Sequence, residues 1–436
     1  MIPFLESLEV ILWEGIATYV ILLLGLYLFF RSRAYPLRRF FPTIALFFSH
    51  LRKKKQSSQG EHPLKLFFAS LGGCIGIGNL VTVCGAIHLG GPGVLFWMWV
   101  VGLLGVLIKY GEVYLGMKYR RPKKDNSGFS GGPMYFLQRA FRSPWFARCM
   151  ALLLCIYGVE IFMFNTIRDS FVENSPLSHG TITLILLSLI FFGGMRGVRQ
   201  LGTISSHLVP LFIVLFCSSV FWVLAHHLWE LPSLFCLIFR SAFTGHAAVG
   251  GFLGSSVSFA LYRGFQVGCY SADIGMGYAS ILHSESCEKD PEKQASLALL
   301  DIFLDTYVVA TAAGLLVLVT GVWKEPMDAS LFVQRALEPY LPLTSFFMPL
   351  FLFLVGYTTI ISYLHTGKKC AQFLFPRWGK PLFIFYAFTA FLLFSFCKAQ
   401  VALSLMMVVG GALLLLNLFG IFRLRREIHF TVKEKI

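Results

Sequence analysis

Long apolar runs separated by short polar segments dominate the hydrophobic pattern of this 436-residue chain. Runs of about 20 apolar residues, the length that crosses roughly 30 Å of hydrocarbon, recur almost from one terminus to the other. Their boundaries, marked by charges or Pro and Gly clusters, predict eleven membrane-spanning helices. The predicted spans are centred near residues 20, 80, 106, 157, 187, 214, 265, 310, 354, 389 and 411. The pattern therefore predicts an all-α polytopic membrane protein with one membrane domain, residues 1–436.

Two of these spans are rich in glycine, whereas the others are plain apolar helices. The second span has four glycines in the seven residues from Gly72 to Gly78, and the seventh runs from Gly250 to Gly277 with glycines throughout. Glycine costs about 1 kcal/mol per helix position relative to alanine. Non-helical backbone at membrane depth is tolerated where it lines a cavity. We therefore expect both helices to break in mid-membrane.

The two broken spans lie five spans apart, which predicts two halves, residues 66–226 and 248–422, after an extra helix at 10–30. Because five is odd, the second half would be inserted upside down relative to the first. Inverted repeats are typical of secondary transporters with a midplane site. There, the bare N–H groups of one half-helix suit an anion and the bare carbonyls of the other suit a hard cation. A zwitterionic amino acid with Na⁺ fits both ends.

Composition and charge agree with a membrane protein. The chain is 56% hydrophobic and 14% charged, against roughly 25% charged residues in soluble domains. Of its 37 Lys and Arg, 30 lie in segments 31–65, 118–148, 196–199, 284–295, 368–380 and the tail from 423. The positive-inside rule then predicts an outside N-terminus and an inside C-terminus. Such clusters meet anionic lipid, so the net charge of +15 does not indicate nucleic acid.

The first apolar segment is preceded by Glu6 and Glu9 instead of basic residues and has no small-residue cleavage site after it, so we expect it to remain as an anchor. The ten cysteines are scattered singly without zinc-like spacing. The sequence predicts a multi-pass protein of the cell inner (plasma) membrane, with no cofactor other than a coupling ion.

Several motifs in series resemble the alanine or glycine:cation symporter (AGCS) family, that is, sodium:alanine/glycine symporters. In the first half these are Gly76-Ile77-Gly78-Asn79, Gly90 to Gly93, Phe96 to Trp99, Lys109 to Glu112, Lys118 to Arg120 and Ser130 to Tyr135. In the second half they are Arg263-Gly264, Ser271 to Gly277, Asp305-Thr306, Thr320-Gly321 and Thr358 to Ile361. The resemblance covers roughly residues 65 to 420.

The resemblance implies a LeuT-type 5+5 inverted-repeat fold with one extra N-terminal helix. It also implies sodium-coupled symport of a small neutral amino acid, alanine or glycine in D or L form, by alternating access in a monomer. The family pattern implies a substrate site at Gly76, Gly78, Asn79, Met163, Asn165, Ser271 and Asp273. It implies a sodium site from carbonyls of Gly73, Cys74 and Ile75 and hydroxyls of Thr358 and Thr359.

Three stretches depart from the family pattern. The family's Ser-Asn-Glu-Ala-Gly-Leu-Gly is here residues 271–277, with Ala272 for the amide and Asp273 for the longer acid. Its Gln-x-Asn becomes Met163-Phe-Asn165, and its Trp-Ser-Tyr-Tyr-Gly-Glu becomes the run from Ile361 through His365 to Thr366. These changes leave substrate selectivity and gating contacts open.

Structural alternatives stand beside several of these assignments. The glycines near Asn79 also suit close helix packing, and the hydroxyls of Thr358 and Thr359 also suit bonding to their own helix. Asp273, an intramembrane carboxylate, marks an ion or amine site or else caps the second half-helix. Lys109 and Glu112, three residues apart, are expected to pair with each other. 

Three further carboxylates remain to be placed. Asp301 and Asp305 lie one turn apart near a helix N-terminus, and only Asp305 matches the family. Glu160 matches no family position, and is either proton-linked or faces a polar cavity.

Other functions are weighed against the symporter. A proton-coupled amino-acid permease is the nearest alternative. A membrane-embedded enzyme would need a nucleophile with a base or a metal, and Gly254-Ser255-Ser256 has no partner of that kind in the sequence. A channel usually needs a ring of subunits or a charged lining, whereas one inverted-repeat chain contains a complete site.

Overall fold

The computed structural model describes residues 2–52, 59–123, 128–194, 197–244 and 257–430. This part of the chain is mainly helical, with one two-residue antiparallel pair, β1 (Arg121–Pro122) with β2 (Phe129–Ser130), and an isolated parallel bridge between Glu61 and Ser286. The first helices are α1 (Phe4–Arg31), α2 (Tyr35–Arg52), α3 (Pro63–Cys74), α4 (Gly78–Gly90), α5 (Gly93–Lys118), α6 (Pro133–Phe141), α7 (Pro144–Tyr157), α8 (Ile161–Asn174) and α9 (His179–Gly194). The remaining helices are α10 (Val198–His226), α11 (Leu231–Thr244), α12 (Val257–Ser271), α13 (Tyr278–Ser284), α14 (Pro291–Val319), α15 (Phe332–Leu337), α16 (Thr344–Leu374), α17 (Gly379–Phe394) and α18 (Ala399–Arg423).

Seven helical segments in the described ranges are long and apolar enough to cross a membrane, or eight when the bent pair α3 and α4 counts as one span. The protein is therefore a multi-pass membrane protein. Three further predicted spans coincide with α9, α17 and the pair α12 and α13, which are shorter. The count of eleven and the orientation remain predictions.

Both glycine-rich spans are broken, as predicted. Between α3 and α4 the backbone leaves the helix at Ile75, and the two halves meet at 42°. Between α12 and α13 it turns through Asp273, Gly275 and Gly277, which all have positive φ, a conformation that glycine adopts at little cost. Gly250, the predicted start of the seventh span, lies outside the described residues, as do Gly254, Ser255 and Ser256.

A third interruption, which corrects the expectation that only two spans break, divides the fourth predicted span. Helix α7 ends at Tyr157, α8 begins at Ile161, and Glu160 between them has φ +48°. A Cβ at Gly158 would lie 3.0 Å from both the Gly367 Cα and the Tyr363 carbonyl oxygen of α16. Close packing against α16 thus explains the glycine, and the interruption directs Glu160 towards the interior, where it is buried.

Helix α5 packs against both breaks and against the N-terminal helix. A Cβ at Gly105 would come within 2.6 Å of Ile274, and one at Gly116 within 2.7 Å of Ser280, so small residues let α5 approach the α12–α13 turn. The N-terminal helix α1, which contains the predicted extra helix 10–30, is joined to α18 where the Trp13 indole donates to the Met407 carbonyl at 3.0 Å. Buried apolar residues form one continuous cluster; the division into halves 66–226 and 248–422 remains a prediction.

Candidate functional site

A small enclosed cavity lies where the three interrupted spans meet α16. Its lining residues are Gly73, Cys74, Gly78, Tyr157, Glu160, Met163, Tyr270, Ser271, Asp273, Thr359 and Tyr363. Its volume is about 10 Å³, which is room for about one water molecule. A ligand larger than water therefore fits only when the lining elements move apart.

The structure brings together seven of the residues predicted for the two sites. Those that line the cavity are Gly73, Cys74, Gly78, Met163, Ser271, Asp273 and Thr359. Gly76, Ile75 and Asn79 lie in the same α3–α4 break without lining it, and Thr358 and Asn165 point elsewhere. The lining also includes Tyr157, Tyr270 and Tyr363, which the sequence did not single out because aromatic residues are common in apolar spans.

The first break is held in shape by its own asparagine. The Asn79 Oδ1 accepts from the Gly76 amide at 3.0 Å, and its Nδ2 donates to the Asp305 Oδ1 at 2.8 Å. A Cβ at Gly76 would lie 2.9 Å from the Thr359 Oγ1 and 3.2 Å from the Met163 Cε. Gly76 and Asn79 thus fix the break to α14 and keep space open for the groups around it.

Oxygen atoms converge on the Thr359 hydroxyl where α16 crosses the first break. Its Oγ1 lies 3.1 Å from the Gly72 carbonyl and 3.5 Å from the Ile75 carbonyl across the break. It also donates at 3.0 Å to the Val355 carbonyl of its own helix, which is the structural alternative weighed for this residue. Hydroxyl and carbonyl oxygens are the hard ligands that alkali and alkaline-earth cations take. The residues present fit a cation site. The Gly72 carbonyl would be one of its oxygen ligands, and the sequence did not predict this residue.

The neighbouring Thr358 hydroxyl donates to the Val355 carbonyl of its own helix at 2.9 Å, which is the structural alternative weighed for this residue. It would have to rotate to reach a cation beside Thr359.

Asp273 has one engaged and one free carboxylate oxygen. The Tyr363 hydroxyl donates to Oδ1, whereas the buried Oδ2 has no partner among the described residues. The alternative that Asp273 caps the second half-helix is wrong. The N-terminus of α13 is instead capped from α5, because the Glu112 carboxylate accepts from the Gly277 and Ser280 amides at 3.1 and 3.2 Å.

The expected pair between Lys109 and Glu112 is also wrong. Lys109 Nζ lies 2.7 Å from the Asp301 Oδ2, 2.9 Å from the Cys74 Sγ and 2.9 Å from the Ala272 carbonyl. The ionised side chains of Lys109 and Asp301 are both fully buried. We call these four residues the Lys109 cluster. It joins Lys109 of α5 and Asp301 of α14 to Cys74 at the first break and Ala272 at the second. Residue spacing within α5 alone does not reveal such contacts between distant segments.

Asn165 lies away from the cavity. Its Nδ2 donates to the Phe394 and Cys397 carbonyls at 3.0 and 3.3 Å, and its Oδ1 accepts from Arg168 at 3.0 Å. The amide is therefore used to join α8 to the end of α17. Of the family's Gln-x-Asn positions, only Met163 borders the cavity.

Four buried polar atoms of the cavity lining have no hydrogen-bond partner among the described residues. They are the Glu160 Oε2, the Tyr270 hydroxyl, the Ser271 Oγ and the Asp273 Oδ2. Buried polar groups in native proteins are nearly always hydrogen-bonded. Their concentration in one small cavity indicates that water or a polar ligand supplies the missing bonds.

A charged cluster lies at the end of the molecule that is predicted to be cytoplasmic. The Glu285 carboxylate pairs with His365 at 2.9 Å, Lys123 at 3.0 Å and Lys369 at 3.2 Å. Burial alone would raise the pKa of Glu285, but Lys369, His365 and Lys123 together hold that pKa below its usual range. His365, one of the departures from the family pattern, thus belongs to a cluster that joins α13, α16 and the β1 region.

Comparison with known proteins agrees with this architecture. The model of the sodium:alanine symporter family matches residues 2–434. An uncharacterized transporter of Haemophilus influenzae is 29% identical over 99% of this chain and 95% of its own length. The sodium/alanine symporter AgcS of Methanococcus maripaludis is 27% identical over 93% of this chain and 91% of its own length.

Among solved structures, MhsT in complex with L-phenylalanine superposes with a TM-score of 0.56 at 16% identity, over 82% of this chain and 89% of that one. The LeuT-type expectation is thus confirmed at the level of the fold.

Proposed function

Since this chain belongs to the sodium:alanine symporter family, we propose that it imports a small neutral amino acid, alanine or glycine, together with Na⁺. The family and its relatives are transporters and not enzymes. The observation that carries the proposal is the cavity between the breaks, with its unpartnered polar atoms beside the oxygen cluster at Thr359.

The substrate would lie between the two breaks. Its ammonium group would meet the free Oδ2 of Asp273, with the Ser271 hydroxyl beside it. Its carboxylate would meet the start of α4 at Gly78, where the helix begins without a side-chain cap and offers backbone N–H groups and a positive dipole end. The small size of the cavity, about 10 Å³ in this structure, favours a substrate with a short side chain, and Met163 in place of the family's glutamine makes that wall apolar.

The coupling ion would bind where the Thr359 hydroxyl and the Gly72, Ile75 and Val355 carbonyls converge. An ion held there joins α16 to the first break, so its binding would favour conformations in which these two elements are close. Because a ligand shifts an equilibrium only by its differential affinity for the two states, this position suits an ion that stabilises the substrate-loaded form.

Alternating access would follow from movement of the two predicted halves, 66–226 and 248–422, around this site. We propose that the protein works as a monomer of eleven spans in the cell inner (plasma) membrane, with its N-terminus outside and its C-terminus inside. The basic segments between spans support that orientation.

The test uses purified protein in liposomes with an inward Na⁺ gradient. We expect labelled alanine or glycine to accumulate with Na⁺ and not with K⁺, and competition with D- and L-alanine, glycine, serine and glutamine to define selectivity. Absence of Na⁺-driven accumulation of every compound in this panel would refute the proposal.

The ion site is tested with two neighbouring threonines. Thr359→Val removes a hydroxyl from the oxygen cluster, and we expect the Na⁺ concentration for half-maximal uptake to rise about tenfold or more, as in other metal sites that lose a supporting group. Thr358→Val removes a hydroxyl that bonds its own helix and should have a smaller effect. Equal Na⁺ dependence of Thr359→Val and the unaltered protein would exclude this ion site.

A further inference from the structure

Helix α2, which follows α1 directly, carries an apolar stripe on the outside of the molecule. Its members recur at intervals of four and three residues, and they are Leu37, Phe41, Ile44, Phe48 and Leu51. Four of them are strongly exposed, from 55% at Phe48 to 77% at Phe41, and Ile44 is half-buried. Because residues at this spacing share one face of an α-helix, α2 presents a continuous apolar ridge to its surroundings.

A second face of α2 packs against the elements that surround the breaks. The Phe40 ring meets the Phe303 ring of α14 with centroids 4.9 Å apart, and the Phe47 ring meets the Phe67 ring of α3 at 5.4 Å. These aromatic contacts fix the rotation of α2 about its own axis. The apolar stripe, called the α2 stripe below, is therefore held facing away from the protein.

The remaining face of α2 is polar and its surroundings are basic. Arg38, Pro42 and Arg52 are exposed there, and Arg33 is exposed in the turn before the helix. Between residues 31 and 60 the sequence contains eight Lys and Arg and no Asp or Glu. An exposed apolar stripe beside a basic face is the pattern of helices that lie in a membrane interface.

The position of α2 in the fold favours the bilayer as the partner of this stripe. Helix α2 contains three arginines and is not among the segments apolar enough to cross a membrane. It starts where α1, which can cross, ends with exposed Phe30 and Leu23 on its outer side, at 74 and 71% exposure. The α2 stripe thus continues a surface that already faces lipid.

Charge distinguishes the bilayer from a second copy of this chain. A symmetric contact between two α2 stripes would bring together two segments that each have eight positive charges and no negative ones, and like charges repel. The cytoplasmic leaflet contains anionic lipid, which attracts basic segments beside a span. Since basic segments also face the cytoplasm, the charge of α2 and its predicted side of the membrane agree.

We propose that α2 lies in the plane of the membrane at the cytoplasmic surface. The α2 stripe enters the boundary between headgroups and acyl chains, and anionic phospholipid headgroups bind at Arg33 and Arg52. Because Phe47 of α2 packs on α3, the first half of a broken span, this helix ties the depth of α3 to the membrane surface. The inference does not depend on which substrate the protein transports.

The first test measures the depth of α2 by tryptophan fluorescence in liposomes of phosphatidylcholine with brominated acyl chains, which quench tryptophan on contact. Phe41→Trp places a reporter on the α2 stripe, and Pro42→Trp places one on the adjacent polar face. The signal of the eight native tryptophans is subtracted with the unaltered protein. We expect most of the Phe41→Trp emission and little of the Pro42→Trp emission to be lost, because such helices enter roughly 5–10 Å into the interface.

Equal quenching of the two reporters, or quenching of neither, overturns the proposal. The second result is also what a protein partner or a second copy covering the α2 stripe would give. Both replaced side chains are exposed, so the thermal unfolding midpoint should not change. If Phe41→Trp lowers that midpoint, Phe48→Trp on the same stripe replaces it as the reporter.

The second test measures headgroup preference with the Phe41→Trp reporter. Brominated phosphatidylglycerol and brominated phosphatidylcholine are compared at equal mole fraction in otherwise identical bilayers. We expect stronger quenching by phosphatidylglycerol, and the preference should weaken by about fivefold for each charge removed in Arg33→Gln and Arg52→Gln. It should also weaken at high salt, which screens exposed charges.

Phe221→Trp provides the control for this second test. Phe221 is 71% exposed on α10, near the opposite, predicted outer end, and its reporter should show no headgroup preference. Equal quenching by the two lipids at Phe41→Trp, or the same preference at Phe221→Trp, overturns the anionic lipid site. A preference that is unchanged when both arginines are replaced overturns its assignment to Arg33 and Arg52.

Discussion

The Lys109 cluster and the cavity are adjacent buried polar regions that differ in how far their hydrogen bonds are satisfied. In the Lys109 cluster, the ammonium group has three partners within 2.9 Å and the Asp301 Oδ2 also accepts from Ser70 at 3.1 Å, although the Asp301 Oδ1 has no partner among the described residues. In the cavity, four polar atoms have no partner among the described residues. Satisfied polar networks hold elements together, whereas unsatisfied ones mark places where a ligand completes the bonding.

Cys74 belongs to both regions. Its thiol accepts from the Lys109 ammonium, and the residue lines the cavity. The fixed region therefore sets the shape of the backbone that the substrate would meet. This comparison predicts that substitutions in the Lys109 cluster lower stability first, and that substitutions in the cavity alter transport with little loss of stability.

The largest expected effect follows from breaking the buried ion pair. Lys109→Met leaves Asp301 buried without a counter-charge, which typically costs about 3–5 kcal/mol. We expect a clear fall in the thermal unfolding midpoint of the purified protein and little folded material. Lys118→Met, which removes a half-exposed partner of Glu427, should cost only about 0–1 kcal/mol.

The double variant Lys109→Met with Asp301→Leu provides the decisive contrast, because replacing both members of a buried pair is often neutral or stabilising. A midpoint that recovers in the double variant supports a structural ion pair. If Lys109→Met alone leaves the midpoint unchanged, the ion pair is not what holds the breaks in place.

An intermediate effect is expected for Asn79, which lies between the two regions. Asn79→Ala leaves the Gly76 amide and the Asp305 carboxylate without this partner, at a cost of about 1–3 kcal/mol. We expect lower thermal stability together with loss of Na⁺-driven uptake. Asn174→Ala, at the last residue of α8, is the control and should change neither strongly. Normal uptake by Asn79→Ala would remove Asn79 from the working site.

The smallest effect on stability, with the opposite sign, is expected inside the cavity. Tyr270→Phe removes a buried hydroxyl that has no partner, so the substrate-free protein should gain about 1 kcal/mol while uptake falls. Tyr278→Phe is the matched control, because the Tyr278 hydroxyl donates to the Ala69 carbonyl at 2.9 Å and its removal should destabilise. Destabilisation by both variants would show that the Tyr270 hydroxyl is satisfied in the folded protein.

The sequence by itself determined that the chain is a helical multi-pass membrane protein and where both glycine breaks lie. Hydrophobic run length and glycine content act locally, through the solvation of each segment and the conformational freedom of each residue, so they are readable without the fold. The resemblance to the family, not local logic, assigned Gly73, Cys74 and Thr359 to the sodium site and Asp273 to the substrate site, and the structure brings all four into the lining of one cavity.

Only the tertiary structure decided the partners of the buried charges. Lys109 bonds to Asp301, 192 positions away along the chain, in preference to Glu112 on its own helix, and Glu112 caps α13 instead. The interruption at Glu160 was likewise not visible, because a single glycine before it resembles many others in apolar helices. Pairing in a low-dielectric interior depends on which atoms meet in space, and sequence spacing within one helix does not contain that information.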